Sequence, residues 1–411
     1  MKIFLFFIFS IFLLNSSSAD EFNQILNEQE YAAKQYLMAN ISPSDAVPGT
    51  VIASPSRQGP DYYFHWVRDA ALVMQVVLNL YEEEQDPVIK SFYLQRLDDF
   101  VDLTHLQQTN SGFQSYGEPK YFVDGRPYDG PWGRPQNDGP ALRASVLMRY
   151  ASVIVQNGQS LSQKLINVIK NDLEYTIQFW RDPNFDLWEE VYGDHFYTRF
   201  AQRKALLDCQ LWANENNFKN LAQSCTREVN QLNISLNEFK DYDQEILKTT
   251  INRVGGLDYK YSNLDTANVL AVLHSYNHDG EFSPASSWVI NTAKALDDKF
   301  KVLYPINSQY SHFGTAIGRY PEDQYYGGNP WFLTTFAMAE LYYKLAIEFH
   351  SQDYFQIADN YMKRGLFHRG HGGSIAEQMN KYTGFMESAR DLTWSYASFL
   401  TAMKARRAAV K

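Results

Sequence analysis

Apolar residues recur along most of this chain at the spacing of an α-helix, and the helical stretches alternate with long segments rich in Gly, Pro and aromatic residues. Leu165, Ile169, Leu173 and Ile177 fall every four residues, with Ile166 and Trp180 widening the stripe, which is the pattern of a helix that buries one face. Gly139-Pro140, Ser283-Pro284 and Asn329-Pro330 each set a proline after a cap residue, where the first helical turn tolerates its missing N–H. These signals predict about twelve helices. They lie near 21–40, 69–84, 87–107, 138–157, 160–180, 197–215, 217–235, 264–275, 283–302, 330–349, 352–367 and 388–407. The stretches between them at 43–68, 109–137, 181–196, 303–329 and 368–387 are too long for plain connectors and read as functional loops. Strands are expected only as short hairpins within those loops. Paired helices whose loops gather on one face fit a closed ring of helical hairpins; the pattern by itself supports a large all-α domain.

No Pro-, Ser- or Gly-rich linker interrupts 20–411, so one domain is expected there. The segment 1–19 is different: Lys2 is followed by the apolar run Ile3–Leu14, then by small residues with Ser17 and Ala19 placed for cleavage. Twelve apolar residues span only about 18 Å as a helix, short of a bilayer core. The segment therefore reads as a signal peptide, and the mature chain as exported, to the extracellular space or a periplasm. Export makes a disulfide between Cys209 and Cys225 the expected state, closing a loop worth about 3 kcal/mol; two free buried thiols are the alternative. Asn40 and Asn233 stand in N-x-S sequons, which matter if the host glycosylates. A formal net charge of -10 without a Lys/Arg block argues against nucleic acid and anionic membranes as partners.

Several chemistries lack their motifs. There is no P-loop, no G-x-G-x-x-G after a strand, no G-x-S-x-G elbow and no H-E-x-x-H. His368 and His371 have no evident third ligand, so no metal is expected. What stands out is carboxylates beside aromatics inside the loops, in a chain with 28 Tyr, 27 Phe and 8 Trp. In Asp186-Leu187-Trp188-Glu189-Glu190 the central carboxyl is flanked by apolar neighbours and by a like charge, an environment that suits a general acid. Glu377-Gln378 follows Gly372-Gly373, which let backbone approach a ligand. Arg68-Asp69 opens a helix after Tyr62, Tyr63, Phe64 and Trp66. Carboxylates as acid and base, aromatic faces on sugar C–H surfaces and fork-shaped hydrogen bonds to hydroxyls are the needs of carbohydrate chemistry. The bland reading stays beside it: a local Arg68–Asp69 ion pair, core tryptophans and surface glutamates would produce the same letters.

Five longer segments carry a resemblance: YYFHWVRD (62–69), WGRPQNDGPALRA (132–144), DLWEEV (186–191), GRYPEDQYYGGNPWFL (318–333) and SARDLTWSYA (388–397). In this order they resemble glycoside hydrolase family 15, the glucoamylases and their relatives, over nearly the whole mature chain. The resemblance implies an (α/α)6 barrel, six inner and six outer helices. It implies a secreted, inverting, exo-acting hydrolase that cuts α-1,4-glucosidic bonds, and α-1,6 bonds more slowly, from the non-reducing ends of starch, glycogen or maltooligosaccharides, releasing β-D-glucose. Glu189 matches the family's general acid and Glu377 its general base, with their carboxyl groups expected roughly 6.5–9.5 Å apart. Asp186, three residues from Glu189, is given an auxiliary place. Arg68, Asp69 and Arg319 would hold the terminal glucose, and Trp132 would cover the site and orient Glu189. Tyr62 and Trp394 would line it, with Leu187, Trp188, Glu190 and Asp323 shaping the first subsites. The resemblance implies no cofactor and no metal; a monomer is expected.

The chain departs from many relatives in having Met379-Asn380 after Glu377-Gln378, on the side expected to meet the leaving part of the substrate. No separate starch-binding domain is expected, which favours soluble maltooligosaccharides or glycogen fragments over granules. Two other readings keep the fold. One is a hydrolase of trehalose or an α-1,6-glucan; the other is a non-catalytic carbohydrate-binding homologue, which would bind maltooligosaccharide, release no glucose and be indifferent to Glu377→Gln.

Overall fold

The computed structural model describes residues 3–110, 116–280 and 282–410, with side chains from 20 onward. Thirteen α-helices are found among the described residues: α1 (Ile3–Ala39), α2 (Val67–Glu83), α3 (Pro87–Thr109), α4 (Asp138–Gln156), α5 (Gln163–Phe179), α6 (Phe196–Glu215), α7 (Lys219–Leu236), α8 (Ala267–Ser275), α9 (Ser287–Leu303), α10 (Pro305–Gln309), α11 (Phe332–Glu348), α12 (Gln352–Phe367) and α13 (Thr393–Ala409). Helix α2 packs on α4, α4 on α6, α6 on α8, α8 on α11, α11 on α13, and α13 returns to α2. That is a closed inner ring of six. Each inner helix also packs against an outer one, respectively α3, α5, α7, α9, α12 and α1. The architecture is an (α/α)6 barrel.

Burial separates the two rings as their sequences require. Inner α11 buries fourteen of its 17 residues, whereas outer α12 buries seven of 16, the difference between a helix apolar all round and an amphipathic one. Of the stripe read on α5, Leu165, Ile169, Leu173 and Trp180 are buried, while Ile166 and Ile177 are half-buried. Caps fix where several helices begin. Ser162 Oγ accepts from Leu165 N at 3.1 Å, so α5 starts at 163 rather than 160. Asp265 Oδ1 accepts from Ala267 N at 2.8 Å, so α8 starts at 267 rather than 264.

Other expectations need correction. Ser286, not Ser283, caps α9, its Oγ taking Val289 N. Asn329 is no cap at all: its amide donates to Glu387 Oε2 at 2.8 Å and to Gln378 Oε1 at 3.2 Å, tying two loops together, and α11 opens only at Phe332. Helix α13 begins at Thr393, not 388, because 388–392 run back along the loop carrying Glu377. Helix α1 continues through the apolar segment ahead of 21, and short α10 opens on Pro305 inside a predicted loop. Cys209 and Cys225 are bonded, with Cα atoms 6.3 Å apart, and clamp α6 to α7. Asn40 is buried and its Nδ2 donates to Thr393 Oγ1 at 2.8 Å and to Asp391 O at 3.0 Å. The folded chain therefore offers no glycan acceptor there.

The inner helices all begin at one end of the barrel, where the long loops lie. Nine short strands occur there among the described residues. Hairpin β3 (Asn184–Phe185) and β4 (Val191–His195) is extended by β7 (Thr250–Gly256). Strand β1 (His65–Trp66) pairs with β2 (Lys120–Tyr121), β5 (Lys240–Asp241) with β6 (Ile246–Leu247), and β8 (Gln378–Met379) with β9 (Met386–Glu387). No described helix is long and apolar enough to cross a membrane.

Candidate active site

Glu189 sits in the tight turn between β3 and β4, and the turn is organised by Asp186. Asp186 Oδ1 accepts from Glu190 N at 2.7 Å and Val191 N at 2.9 Å, while its carbonyl accepts from Glu189 N. Glu189 thereby takes φ 68°, a left-handed conformation uncommon for a residue with a Cβ. Burial would raise the Asp186 carboxyl, but Lys260, His195 and the two backbone donors hold it below the usual value. Lys260 Nζ lies 3.5 Å from Asp186 Oδ2 and 2.7 Å from Asp265 Oδ2, and Asp265 in turn accepts from Trp188 Nε1 at 2.8 Å. A buried ionic scaffold thus fixes the turn from below. Asp186 itself does not line the pocket.

The left-handed turn sends neighbouring side chains different ways. Leu187 and Trp188 flank Glu189 in sequence, yet the groups that bond its carboxylate come from elsewhere. Its Oε1 accepts from Trp66 Nε1 at 2.8 Å, Trp132 Nε1 at 2.8 Å and Gln136 Nε2 at 2.9 Å. No hydrogen bond falls on Oε2 among the described residues. Gln136 also accepts from Arg68 Nη1 at 2.8 Å, so one amide joins Glu189 to the arginine of the YYFHWVRD segment. Pairing of β1 with β2 sets Trp66 opposite Lys120. The ammonium of Lys120 lies 3.7 Å from the Trp132 ring centroid and 4.1 Å from those of Phe64 and Tyr128. Burial pushes Lys120 down to about 8, against the pull of Glu189.

Two arginines stand across the pocket. Arg68 Nη1 donates to Asp138 Oδ2 at 3.0 Å, and its Nε is 3.5 Å from Asp69 Oδ2. That Nε and that Oδ2 are buried without hydrogen-bond partners. Burial raises Asp69 to about 6, with Arg68 opposing. Arg319 grips Asp323 through two hydrogen bonds, at 2.8 and 2.6 Å, and reaches Glu190 Oε1 at 2.8 Å. Tyr320 donates to the other oxygen of Glu190 at 2.6 Å, and burial holds the Glu190 carboxyl above its ordinary value. Asp323 was expected to shape a subsite. It lies behind Arg319, holding the guanidinium, and does not line the pocket.

Glu377 stands just ahead of the β8–β9 hairpin, whose register sets Ser388 beside it. Glu377 N donates to Ala389 O at 2.8 Å, Gln378 Nε2 reaches Oε2 at 3.1 Å, and Ser388 Oγ donates to the same oxygen. Burial raises Glu377 to about 7, although Ser388, Arg319, Gln378 and the Tyr62 hydroxyl all favour the charged form. The departures at 379 and 380 are turned away from the site. Met379 is buried, and Asn380 Oδ1 accepts from Tyr382 N and Thr383 N to make the hairpin turn.

One pocket of about 680 Å³ gathers these groups. Its walls include Tyr62, Arg68, Asp69, Trp132, Glu189 and Glu377, and also Leu187, Trp188, Glu190, Arg319 and Trp394. Trp188 stacks on Trp394 with centroids 6.2 Å apart, and the Tyr62 and Tyr325 hydroxyls meet at 2.7 Å. Of the expected site residues only Asp186 and Asp323 fall outside the lining. Sequence reasoning passed over Gln136, Tyr325, Trp331 and Ser388 and gave Trp66 no role in the site, although all five lie inside the segments that carried the resemblance. Lys120 and Lys260 had no signal: each is a lone lysine between predicted helices.

A family model described as "Glycosyl hydrolases family 15" matches residues 29–357 and 350–404. The chain is 35% identical to a glucoamylase of Blastobotrys adeninivorans, over 92% of this chain and 70% of that protein. It is 32% identical to a probable glucoamylase of Schizosaccharomyces pombe, over 96% and 93%. The solved glucoamylase of Saccharomycopsis fibuligera matches with a TM-score of 0.86 at 29% identity, over 95% of this chain and 96% of that one. The chain belongs to glycosyl hydrolases family 15 and is a glycoside hydrolase.

Proposed function

We propose that this family 15 hydrolase is an inverting, exo-acting glucan 1,4-α-glucosidase that releases β-D-glucose from the non-reducing ends of α-1,4-linked maltooligosaccharides, glycogen fragments or starch. The observation that carries the reading is that Glu189 and Glu377 enter one pocket from two separate hairpins, with Arg68, Asp69 and Arg319 in its walls. In this reading Glu189 is the general acid. Three donors converge on its Oε1, which leaves Oε2 to carry the proton to the glycosidic oxygen. Glu377 is the base: it takes a proton from a water that attacks C1 from the opposite face as the C1–O bond breaks. The new hydroxyl keeps the water's oxygen, the departing sugar keeps the acid's proton, and the anomeric centre inverts. Arg68 and Asp69, both in the lining, would bond hydroxyls of the terminal glucose, and Arg319 would do the same through Nη1, which neither Asp323 nor Glu190 takes. Tyr62, Trp132, Trp188 and Trp394 supply apolar faces for the ring.

We further propose that 1–19 is removed on export and that the enzyme works outside the cytoplasm. The Cys209–Cys225 bond supports this, since such bonds persist in oxidising compartments.

Proton NMR of maltotriose hydrolysis tests the mechanism through the anomeric signals of newly released glucose. β-Glucose should appear first, and Glu189→Gln should lower kcat by about 100- to 10,000-fold. α-Glucose appearing first would refute the inverting pair. No glucose from maltotriose, with turnover of trehalose or an α-1,6-glucan, would refute the linkage.

A further inference from the structure

Lys120 is a buried cation without an anion. The residue is 3% exposed, and among the described residues no hydrogen bond or ion pair falls on its ammonium. Four rings surround it instead. Its Nζ lies 3.7 Å from the ring centroid of Trp132, 4.1 Å from those of Phe64 and Tyr128, and 4.7 Å from that of Trp66. The rings also close on one another. Centroids are 6.1 Å apart for Phe64 and Trp66, 6.0 Å for Trp66 and Trp132, 5.6 Å for Trp132 and Tyr128, and 5.4 Å for Tyr128 and Phe64. A box of this kind is a receptor for an alkylammonium ion, and here the chain fills it with its own side chain. Strand pairing sets Lys120 opposite Trp66, and Lys120 O accepts from Tyr128 N at 2.9 Å. The lysine and all four rings line the catalytic pocket.

Burying an ammonium costs free energy that ring faces offset only in part, and a methionine would fill the box without that cost. The charge nevertheless stays. Burial lowers Lys120 to about 8, with Glu189 and Asp61 favouring the charged form and Arg134 opposing it, so at neutral pH the ammonium is present. Two of the four rings show what it faces. Trp66 Nε1 and Trp132 Nε1 both donate to Glu189 Oε1, each at 2.8 Å. A cation on an indole face draws electron density out of the ring and strengthens its N–H as a donor. Trp132 stands in the loop between β2 and α4, and its indole makes no other hydrogen bond among the described residues. Its orientation therefore rests on Glu189 at one edge and on Trp66, Tyr128 and the Lys120 ammonium at its faces.

We propose that Lys120 is a positioning residue for Glu189: its ammonium holds the indoles of Trp66 and Trp132 so that both N–H groups stay on Oε1, and its charge favours the carboxylate that forms as the proton leaves. This rests on the acid role proposed above for Glu189. The first effect keeps Oε2 as the oxygen that carries the proton. The second acts where negative charge develops, in the transition state rather than on the bound substrate. Lys120 should therefore act on kcat more than on KM, and only where the leaving group needs a proton.

Steady-state kinetics of Lys120→Met on two substrates tests this. Maltotriose needs its glycosidic oxygen protonated, whereas α-D-glucosyl fluoride loses fluoride with little help from an acid. With maltotriose, kcat should fall by about 10- to 100-fold and KM should stay within about twofold. With the fluoride, kcat should stay within about threefold of wild type, which also shows that the pocket is folded. Lys120→Gln carries the same comparison if the apolar variant does not fold. Equal losses on the two substrates would make the lysine a packing residue and overturn the proposal, as would no loss on either. Glu189→Gln assayed in parallel separates the two readings. Loss of maltotriose turnover there, with none in Lys120→Met, refutes the role of the lysine alone; full turnover in Glu189→Gln refutes the acid assignment on which it rests.

Discussion

Ser388 tunes the carboxyl of Glu377, the proposed base, by donating to it. Burial raises that carboxyl to about 7, and the Ser388 hydroxyl is foremost among the groups that pull it back. A base must be ionised, so kcat/KM of the free enzyme should rise with pH through about 7 on its acid side. Ser388→Ala removes a donor to the charged form and raises the pKa further. The acid limb should then move to higher pH by about one unit, with activity above the limb largely kept. An unmoved limb in a pH profile on maltotriose would assign it to another group. At this scale the sequence was legible where a motif carried the residue, as for Glu189 and Arg319. It was misleading about surroundings. Leu187 and Trp188 stand beside Glu189 in the chain, but the φ 68° turn hands its carboxylate to Trp66, Trp132 and Gln136. Lys120 was illegible because its cage of rings is made by strand pairing and by a loop, not by its neighbours.

Both catalytic candidates are carried at the level of elements by hairpins rather than helices, and Asp186 belongs to the hairpin. Asp186→Asn keeps the shape but loses the charge opposite Lys260 and weakens its hold on two backbone donors. The expected result is a drop in kcat of up to about 100-fold from a misplaced Glu189, with the acid limb unmoved. Loss of that limb would instead make Asp186 the base. The α6–α7 pair gives a second expectation. Replacing both Cys209 and Cys225 by Ala should reduce stability by about 3 kcal/mol, read by urea denaturation. Activity at 25 °C should stay, because the bridge lies towards the end of α6 away from the pocket. Helix positions were legible from apolar spacing, and the starts at Pro87, Asp138 and Gln352 fell where expected, while others did not. Ser286 and Asp265 capped where Ser283 and Leu264 were expected to begin, since side-chain geometry chooses among nearby candidates. Asn329-Pro330 looked like a cap, but Asn329 spends its amide on Glu387 and Gln378 instead.

Over the whole molecule, periodicity indicated paired helices, and closure of the ring was a fold-level inference from the resemblance; no local signal announces that α13 meets α2. A pocket sunk into one end of that ring fits the exo action proposed above, in which chain ends enter it. Cyclodextrins, which have none, should yield no glucose under conditions that consume maltotriose, whereas maltotriitol, altered only at its reducing end, should still be cut. Glucose released from a cyclodextrin would mean an open cleft.

The closing contact has a further consequence for biosynthesis. Arg68 lies at the start of the second helix and Trp394 at the start of the last, and the pocket needs both walls. During translation the first helical hairpins can pack while the ring is still broken, but an arc has no pocket. Hydrolytic competence therefore arrives only when the final helix emerges and docks, so an unfinished chain is inert towards any glucan it meets.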